Sequence, residues 1–237
     1  MQEYSLKVIA RIHSDFPTKF GIPRQSGLIP ELTAAVVFEP PYRNPEALRG
    51  LEKFSHIWLI WQFSEAVRED WSPTVRPPRL GGNRRVGVFA SRSPFRPNAL
   101  GLSSVRLLRI EKHPKYGDIL VVSGADLMDG TPIFDVKPYL PGGDSHPEAL
   151  GGFTENLAEP QLTVEFPDEL LRQIPRDRQA ALLAVLSRDI RPGYQRDEER
   201  VYGLPFAGFD VKFRVRGDIL TVSALEPLEG READREI

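Results

Sequence analysis

Ser103-Ser104-Val105-Arg106-Leu107-Leu108-Arg109-Ile110-Glu111, followed shortly by Asp118-Ile119-Leu120-Val121-Val122-Ser123-Gly124-Ala125, is the stretch that decides the fold. Each run is short, apolar-rich and set off by turn formers, the pattern of a β-strand. The texture repeats outward from there. Tyr4 to Ile12 alternates, with Leu6, Val8 and Ala10 on one face and Lys7, Ile9 and Arg11 on the other. Ala34 to Phe38 and Arg85 to Ala90 are further short runs. Phe54 to Phe63 is dense in apolar and aromatic residues and reads as a strand buried on both faces. Pro45 to Leu51 reads as one short helix. Short, closely spaced strands with Pro and Gly between them, and no long amphipathic helix, predict a closed or nearly closed β-barrel. Closure also removes the edges such strands would otherwise expose.

The pattern changes after Pro141 to Gly152, where Pro141, Gly142, Gly143, Pro147, Gly151 and Gly152 break regular structure. Gln161 to Phe166 reads as a strand. Asp168 to Ile174 and Arg176 to Ile190 read as helices, the second with Leu182, Leu183, Val185, Leu186 and Ile190 near helical spacing. Arg191-Pro192-Gly193 stops that helix. Phe209 to Val215 and Ile219 to Leu225 alternate, and Arg216-Gly217-Asp218 joins them as a hairpin. The expected organisation is mainly β: an N-terminal β-barrel domain over 1–145 and a smaller C-terminal α+β domain over 155–237. No internal repeat is present.

Composition excludes several classes. The 237 residues are 41% hydrophobic and 27% charged, ordinary for a soluble globular protein. Without cysteine there is no disulfide, no zinc–thiolate site and no cysteine nucleophile, which fits a cytoplasmic protein. Clean apolar runs such as Ile57 to Trp61 are far too short to span a bilayer, and the N-terminus has no secretory pattern. His13, His56, His113 and His146 are scattered, so no metal site is expected. Dinucleotide, P-loop and nucleophile-elbow fingerprints are missing. The net charge of −2 hides two opposed regions. Trp71 to Ile110 contains no Asp or Glu but holds Arg76, Arg79, Arg84, Arg85, Arg92, Arg96, Arg106 and Arg109. Such an excess points to an anionic partner.

Two polar stretches are candidates for chemistry. Ser91-Arg92-Ser93-Pro94-Phe95-Arg96-Pro97-Asn98-Ala99-Leu100-Gly101-Leu102-Ser103 surrounds two stiff prolines with arginines, serines and an asparagine. It suits a preformed binding loop and, equally, a proline-stiffened connection. Asp126-Leu127-Met128-Asp129-Gly130-Thr131-Pro132-Ile133-Phe134-Asp135-Val136-Lys137-Pro138-Tyr139-Leu140-Pro141 holds three carboxylates, a lysine and a tyrosine. Asp135, Lys137 and Tyr139 share one face if the segment is extended. Spacing alone favours a hairpin turning at Asp129-Gly130, with Asp135 and Lys137 a solvated pair.

These two stretches, with Phe20-Gly21-Ile22-Pro23-Arg24-Gln25 and Arg76-Pro77-Pro78-Arg79-Leu80-Gly81-Gly82-Asn83, resemble the TsaA/YaeB (TrmO) family of β-barrel tRNA methyltransferases. Arg191-Pro192-Gly193-Tyr194 is similar to the Arg-Pro-Ala-Tyr of bacterial members, so the resemblance covers nearly the whole chain. It implies S-adenosyl-L-methionine as cofactor, a homodimer, and methylation of N6 of threonylcarbamoyladenosine beside the anticodon of threonine tRNA. The cofactor residues it implies are Pro23, Arg24, Gln25, Arg92, Leu102, Asp126, Leu127, Met128 and Asp129. Ser64 and Glu65 are also expected at the cofactor, through backbone groups; they stand where many members carry His-Gln or Phe-His, so the resemblance implies no histidine base here. Arg92 suits the methionine carboxylate, Asp126, Asp129 and the Phe95 ring suit cationic groups, and Arg76, Arg79, Arg84, Arg85 and Arg96 suit the phosphates of the tRNA anticodon arm. The C-terminal domain is expected to contribute to tRNA binding. For a weak general base the candidates are Asp135 and Tyr139, oriented by Lys137. The rival expectation is a non-catalytic barrel that binds S-adenosylmethionine or RNA.

Overall fold

Inward-facing apolar residues at every second position draw the first part of the chain into a tube. The computed structural model describes residues 2–77, 84–155, 161–191 and 197–228. The strands of the first part are β1 (Ala10–His13), β2 (Thr33–Phe38), β3 (His56–Gln62), β4 (Thr74–Val75), β5 (Val86–Gly87), β6 (Leu100–His113), β7 (Gly117–Ser123) and β8 (Pro132–Pro138). Six of them close a barrel in the order β1-β2-β7-β6-β3-β8, every pair antiparallel. Ile12, Val36, Ile57, Leu59, Val105, Leu120, Val122 and Ile133 fill its interior. The pair β4 and β5 forms a separate two-stranded ribbon inside the long β3-to-β6 connection.

Several elements differ from the sequence expectation. The first strand begins at Ala10, not Tyr4, and Tyr4 and Leu6 are exposed. Its partner β2 ends at Phe38, opposite Ala10, and Pro40 and Pro41 follow, which have no N–H to extend the ladder. β3 buries one face fully and leaves the other half-covered, so it is not buried on both faces. The expected helix at Pro45 to Leu51 is a pair of single 3-10 turns, Pro45–Leu48 and Leu51–Lys53. Arg85 to Ala90 splits into β5 and a 3-10 turn, Val88–Ala90. Asp129-Gly130 does turn the chain, with Gly130 at φ 75, but no hairpin results, because β7 and β8 are not neighbours in the barrel.

The chain leaves the barrel through a short helix, α1 (Pro141–Asp144), and builds β9 (Thr163–Glu165), α2 (Asp168–Leu171), α3 (Arg176–Leu186), β10 (Tyr202–Phe206), β11 (Phe209–Arg216) and β12 (Ile219–Pro227). The sheet order is β10-β11-β12-β9, with β9 parallel to β12. β10 was not expected, because Gly203 and Pro205 interrupt its pattern. It occupies the sheet edge, where proline is tolerated. Leu182, Val185 and Leu186 of α3 pack onto Leu204, Phe206, Val211, Phe213 and Leu220. Phe16, Ile29 and Leu32, from the loop between β1 and β2, belong to this same core. A division of the chain near residue 145 therefore does not divide the two cores cleanly. Among the described residues no helix is long and apolar enough to cross a membrane.

Asp15, at the start of that loop, lies beside Arg178 of α3, Nε to Oδ2 at 3.2 Å. Burial nonetheless pushes its carboxyl up to about 6, outweighing the pull of Arg178, while Asp177 and Asp129 push the same way as burial. A carboxyl whose pKa is higher folded than unfolded stabilises the fold below its unfolded pKa, near 3.8, and loses that contribution as pH rises through about 6. Titration of Asp15 should therefore remove up to about 3 kcal/mol of stability between pH 4 and 7. Urea unfolding across that range, for the protein and for Asp15→Asn, measures this: the stability difference should move in favour of the Asn variant as pH rises.

Candidate active site

Antiparallel strands in a closed barrel send alternate connections to opposite ends. β1 ends, β2 begins, β3 ends, β6 begins, β7 ends and β8 begins at the same end. The connections 14–32, 63–99 and 124–131 therefore converge there. They carry Pro23, Arg24 and Gln25; Ser64 and Glu65; Arg92; and Asp126 to Asp129. Three segments that are far apart in the chain thus meet at one mouth.

Side chains fix the shape of these loops. Ser91 Oγ donates to Val88 O and accepts from Ser93 N, Ser93 Oγ accepts from Phe95 N, and Arg96 Nη1 donates to Ser91 O at 3.1 Å. Ser91 and Ser93, just before Pro94, are thus consecutive turn caps. Arg92 is left pointing across the mouth, its Nη1 3.4 Å from Gln25 Oε1. Ser103 Oγ donates to Asp126 Oδ1 at 2.6 Å and accepts from Trp61 Nε1 at 2.9 Å. Gly101 is required beneath that indole, since a Cβ there would stand 2.3 Å from it. Burial raises the Asp126 carboxyl above the ordinary range, against the Ser103 hydrogen bond and the charge of Arg92, which lower it. Leu127 packs in the barrel core, which leaves its backbone as the part facing the mouth. Ser64 and Glu65 are exposed on a 3-10 turn, Ser64–Ala66, directly after β3.

Sequence reasoning assigned no role to Ser103 or Ser14. Ser14 Oγ donates to Leu127 O at 2.9 Å, and its N–H donates to Asp129 Oδ1 at 3.2 Å. His13 Nδ1 lies 3.7 Å from the same Asp129 oxygen. The available signal for Ser103 was its inward position in β6, polar among Gly101, Val105 and Leu107.

The outer wall beside the mouth carries the other candidates. Leu102, Ile60 and Asp135 form one row across β6, β3 and β8, and Ser104, Trp58 and Lys137 form the next. Tyr139 N donates to His56 O one row further on, and its ring lies 5.6 Å from that of Trp58. With strands about 4.8 Å apart, Asp135 sits roughly 10 Å across the wall from Leu102. Lys137 Nζ pairs with Asp135 Oδ2 at 2.8 Å, both side chains partly exposed. That is the pair the hairpin reading expected, on a wall the functional reading needs.

The arginines divide. Arg76, Arg84 and Arg85 are exposed, and Arg85 Nη1 also donates to Thr74 Oγ1 across the β4–β5 ribbon. Arg96 is half-buried and occupied with the Ser91 carbonyl, which makes it a loop support before it is a phosphate ligand. Arg79 lies outside the described residues, as does most of Arg191 to Tyr194. The Phe95 ring is covered by the Arg68 guanidinium at 4.1 Å. Among the described residues no group of His, Asp and Glu could hold a metal ion.

Residues 11–145 match the tRNA-methyltransferase O N-terminal domain, and residues 159–228 match the TrmO C-terminal domain. A "tRNA (adenine(37)-N6)-methyltransferase" of Escherichia coli (strain K12) is 40% identical over 235 residues, 96% of this chain and 100% of that protein. A "putative S-adenosylmethionine-dependent methyltransferase" of Pseudomonas aeruginosa is 40% identical over 228 residues, 92% of this chain and 96% of the relative. The crystal structure of TrmO from Pseudomonas aeruginosa superposes with a TM-score of 0.75 at 34% identity, covering 94% of this chain and 99% of that one. The class is that of a methyltransferase built on a β-barrel. The chain belongs to the tRNA-methyltransferase O (TrmO) family.

Ser103→Ala tests the polar chain under the mouth. It leaves the Trp61 N–H and the Asp126 carboxyl without their shared partner, and a buried group so stranded costs about 1–3 kcal/mol. Denaturant unfolding should show a loss of that size, whereas Ser104→Ala, on the outer face of the same strand, should lose less than about 0.5 kcal/mol.

Proposed function

We propose that this protein methylates N6 of adenine 37 in tRNA, taking the methyl group from S-adenosyl-L-methionine. The preferred substrate is the N6-threonylcarbamoyl form of that adenine in threonine tRNA, and the enzyme works as a cytoplasmic homodimer. The observation that carries this reading is the meeting of Arg92, Gln25 and Asp126 at one barrel mouth. The residues fit the cofactor's charges: a guanidinium for its carboxylate, and the Asp126 and Asp129 carboxylates for its cationic groups. The name of the Escherichia coli relative supports the substrate class.

The methyl group arrives already activated on sulfur, so the chain has to bind, orient and desolvate. Arg24 and Gln25, with Arg92, close one side of the mouth; the backbone of Leu127 and Met128 forms the other. The attacking atom is a ureido nitrogen, made acidic by its carbonyl, and a weak base suffices. Asp135 fits that role better than Tyr139, because it shares a row with Leu102 and Ile60, and Tyr139 stands two rows further away. Lys137 holds the Asp135 carboxylate in place. Arg76, Arg84 and Arg85 take phosphates. Leu100 and Leu102 are exposed beside half-buried Ile60 and Trp58, an apolar face suited to a second copy of the chain. Sedimentation at micromolar concentration should show a dimer, and a monomer with full activity would remove that element.

The reading is tested with labelled S-adenosylmethionine and two threonine tRNAs, one carrying the threonylcarbamoyl group and one a bare transcript. The modified tRNA should be methylated and the transcript should not; equal methylation would sink the order of modification. Binding without methyl transfer to either would favour a non-catalytic barrel. Arg92→Ala should abolish most of the thermal shift that the cofactor produces, about 2.7 kcal/mol at a hundredfold excess over its Kd, and leave the unliganded protein folded. Asp135→Asn should lower kcat about a hundredfold, whereas Tyr139→Phe should lower it less than tenfold.

A further inference from the structure

The loop from Ser14 to Leu32 is built as a bridge. On one side it is sewn to the turn after β7: Gly27 N donates to Gly124 O, Gly124 N to Leu32 O, and Asp129 N to Phe16 O, each at 2.8 Å. Ser14 adds its bonds to Leu127 O and Asp129 Oδ1. On the other side the loop is sunk in the C-terminal core. Phe16 meets Phe206 edge-on at 5.3 Å, and Ile29 and Leu32 are buried in the same cluster as Leu182 and Leu186. Gly21, at φ +84, lies so close to Leu204 that a Cβ would be 2.3 Å from its Cδ1. Ala207 N donates to Asp15 O at 3.1 Å, and Arg188 Nη2 donates to Leu28 O at 2.6 Å.

One side chain spans the two ends of this bridge. Arg178 of α3 pairs with Asp15, at the loop's start, and donates from Nη1 to Thr33 Oγ1, just past its end. Its side chain is about three-quarters buried, with 24% exposed. A buried, forked guanidinium fixes the separation of the groups it holds. Pro23, Arg24 and Gln25 lie in the chain between Asp15 and Thr33, and Gln25 Oε1 accepts from Arg92 Nη1.

We propose that the C-terminal domain sets cofactor affinity, with Arg178 as the positioning residue that holds the 14–32 loop in its binding shape from outside the site. The inference rests on the reading of residues 23–25 and 126–129 as the cofactor site. Arg178 hydrogen-bonds none of those residues; it acts through Asp15 and Thr33. A loop that holds its binding shape only a tenth of the time weakens the apparent affinity about tenfold.

Equilibrium dialysis with labelled S-adenosylmethionine, filter binding with tRNA, and steady-state kinetics test this on the full chain. Arg178→Ala should raise the cofactor Kd and KM about tenfold, with kcat at saturating cofactor and tRNA affinity each within about twofold. Removing Arg178 alone strands the Asp15 carboxylate, so the double variant Asp15→Asn with Arg178→Met removes both charges together and should show the same split. A third measurement needs no substitution. Because coupling is reciprocal, S-adenosylmethionine bound to the unsubstituted protein should slow amide hydrogen exchange in residues 176–186 as well as in 14–32. An unchanged cofactor Kd in a folded variant, equal losses for cofactor and tRNA, or protection confined to the barrel would overturn the proposal. An unsubstituted protein that binds no S-adenosylmethionine would overturn the cofactor reading and this inference with it.

Discussion

Closure of six antiparallel strands is the constraint from which the site follows. A closed tube has no edge to lend to a ligand, and its interior is filled with Ile12, Leu59, Leu120 and similar residues. Polar chemistry is therefore displaced to the mouths and the outer wall. Antiparallel order assigns the 14–32, 63–99 and 124–131 connections to one mouth, which is why residues as far apart in sequence as Ser14 and Asp129, or Gln25 and Arg92, share hydrogen bonds. The price is that these connections are long, and a long loop needs supports of its own. The chain supplies two kinds: serine caps within Ser91 to Ser103, and a second core beneath Ser14 to Leu32.

Those supports tie the loops of the mouth to the two cores. The chain from Trp61 through Ser103 to Asp126 runs from the barrel interior to the mouth, so the position of one carboxylate depends on an indole packed with the core. Arg96 does comparable work from the solvent side by tying the loop to Ser91. Burial makes the Asp126 charge costly, and in both arrangements a charged group has a fixed hydrogen-bond partner. A mouth organised before binding loses less entropy when a ligand arrives.

The barrel was legible in sequence because its strands alternate around inward residues such as Ile57, Leu59 and Val105. The loop assignments were legible through resemblance, since spacing alone left Ser91 to Ser103 and Asp126 to Pro141 open to bland readings. What the sequence hid was long-range. Nothing local marks Phe16, Ile29 and Leu32 as members of a core otherwise built from residues after 160. Tyr202 to Phe206 was hidden because an edge strand tolerates the Gly and Pro that argue against a strand. Tyr4 to Val8 alternates as a strand should, yet stays outside the barrel because the ladder with β2 ends at the Glu39 N to Ile9 O bond, and Pro40 and Pro41 have no N–H to continue it.

Asp135 shows how a single irregularity decides which face of the barrel a side chain reaches. Ile133 points into the barrel core, and strict alternation would send Asp135 and Lys137 after it. The register shifts at this point: Trp61 faces Ile133, but Ile60 faces Asp135, leaving Phe134 as one extra residue in β8. That bulge reverses the parity of everything downstream. Val136 turns inward to pack with the core, and Asp135 and Lys137 turn out to the wall beside Ile60 and Trp58. Without it, a carboxylate and an ammonium would be driven into an apolar interior, at a cost of several kcal/mol per charge. The bulge thus reconciles two demands on one strand: apolar side chains to close the barrel against β1, and an ion pair presented outward next to Leu102. A period-two reading of Ile133 to Lys137 cannot contain this information, because the extra residue is defined by the pairing of β8 with β3 and not by β8 alone.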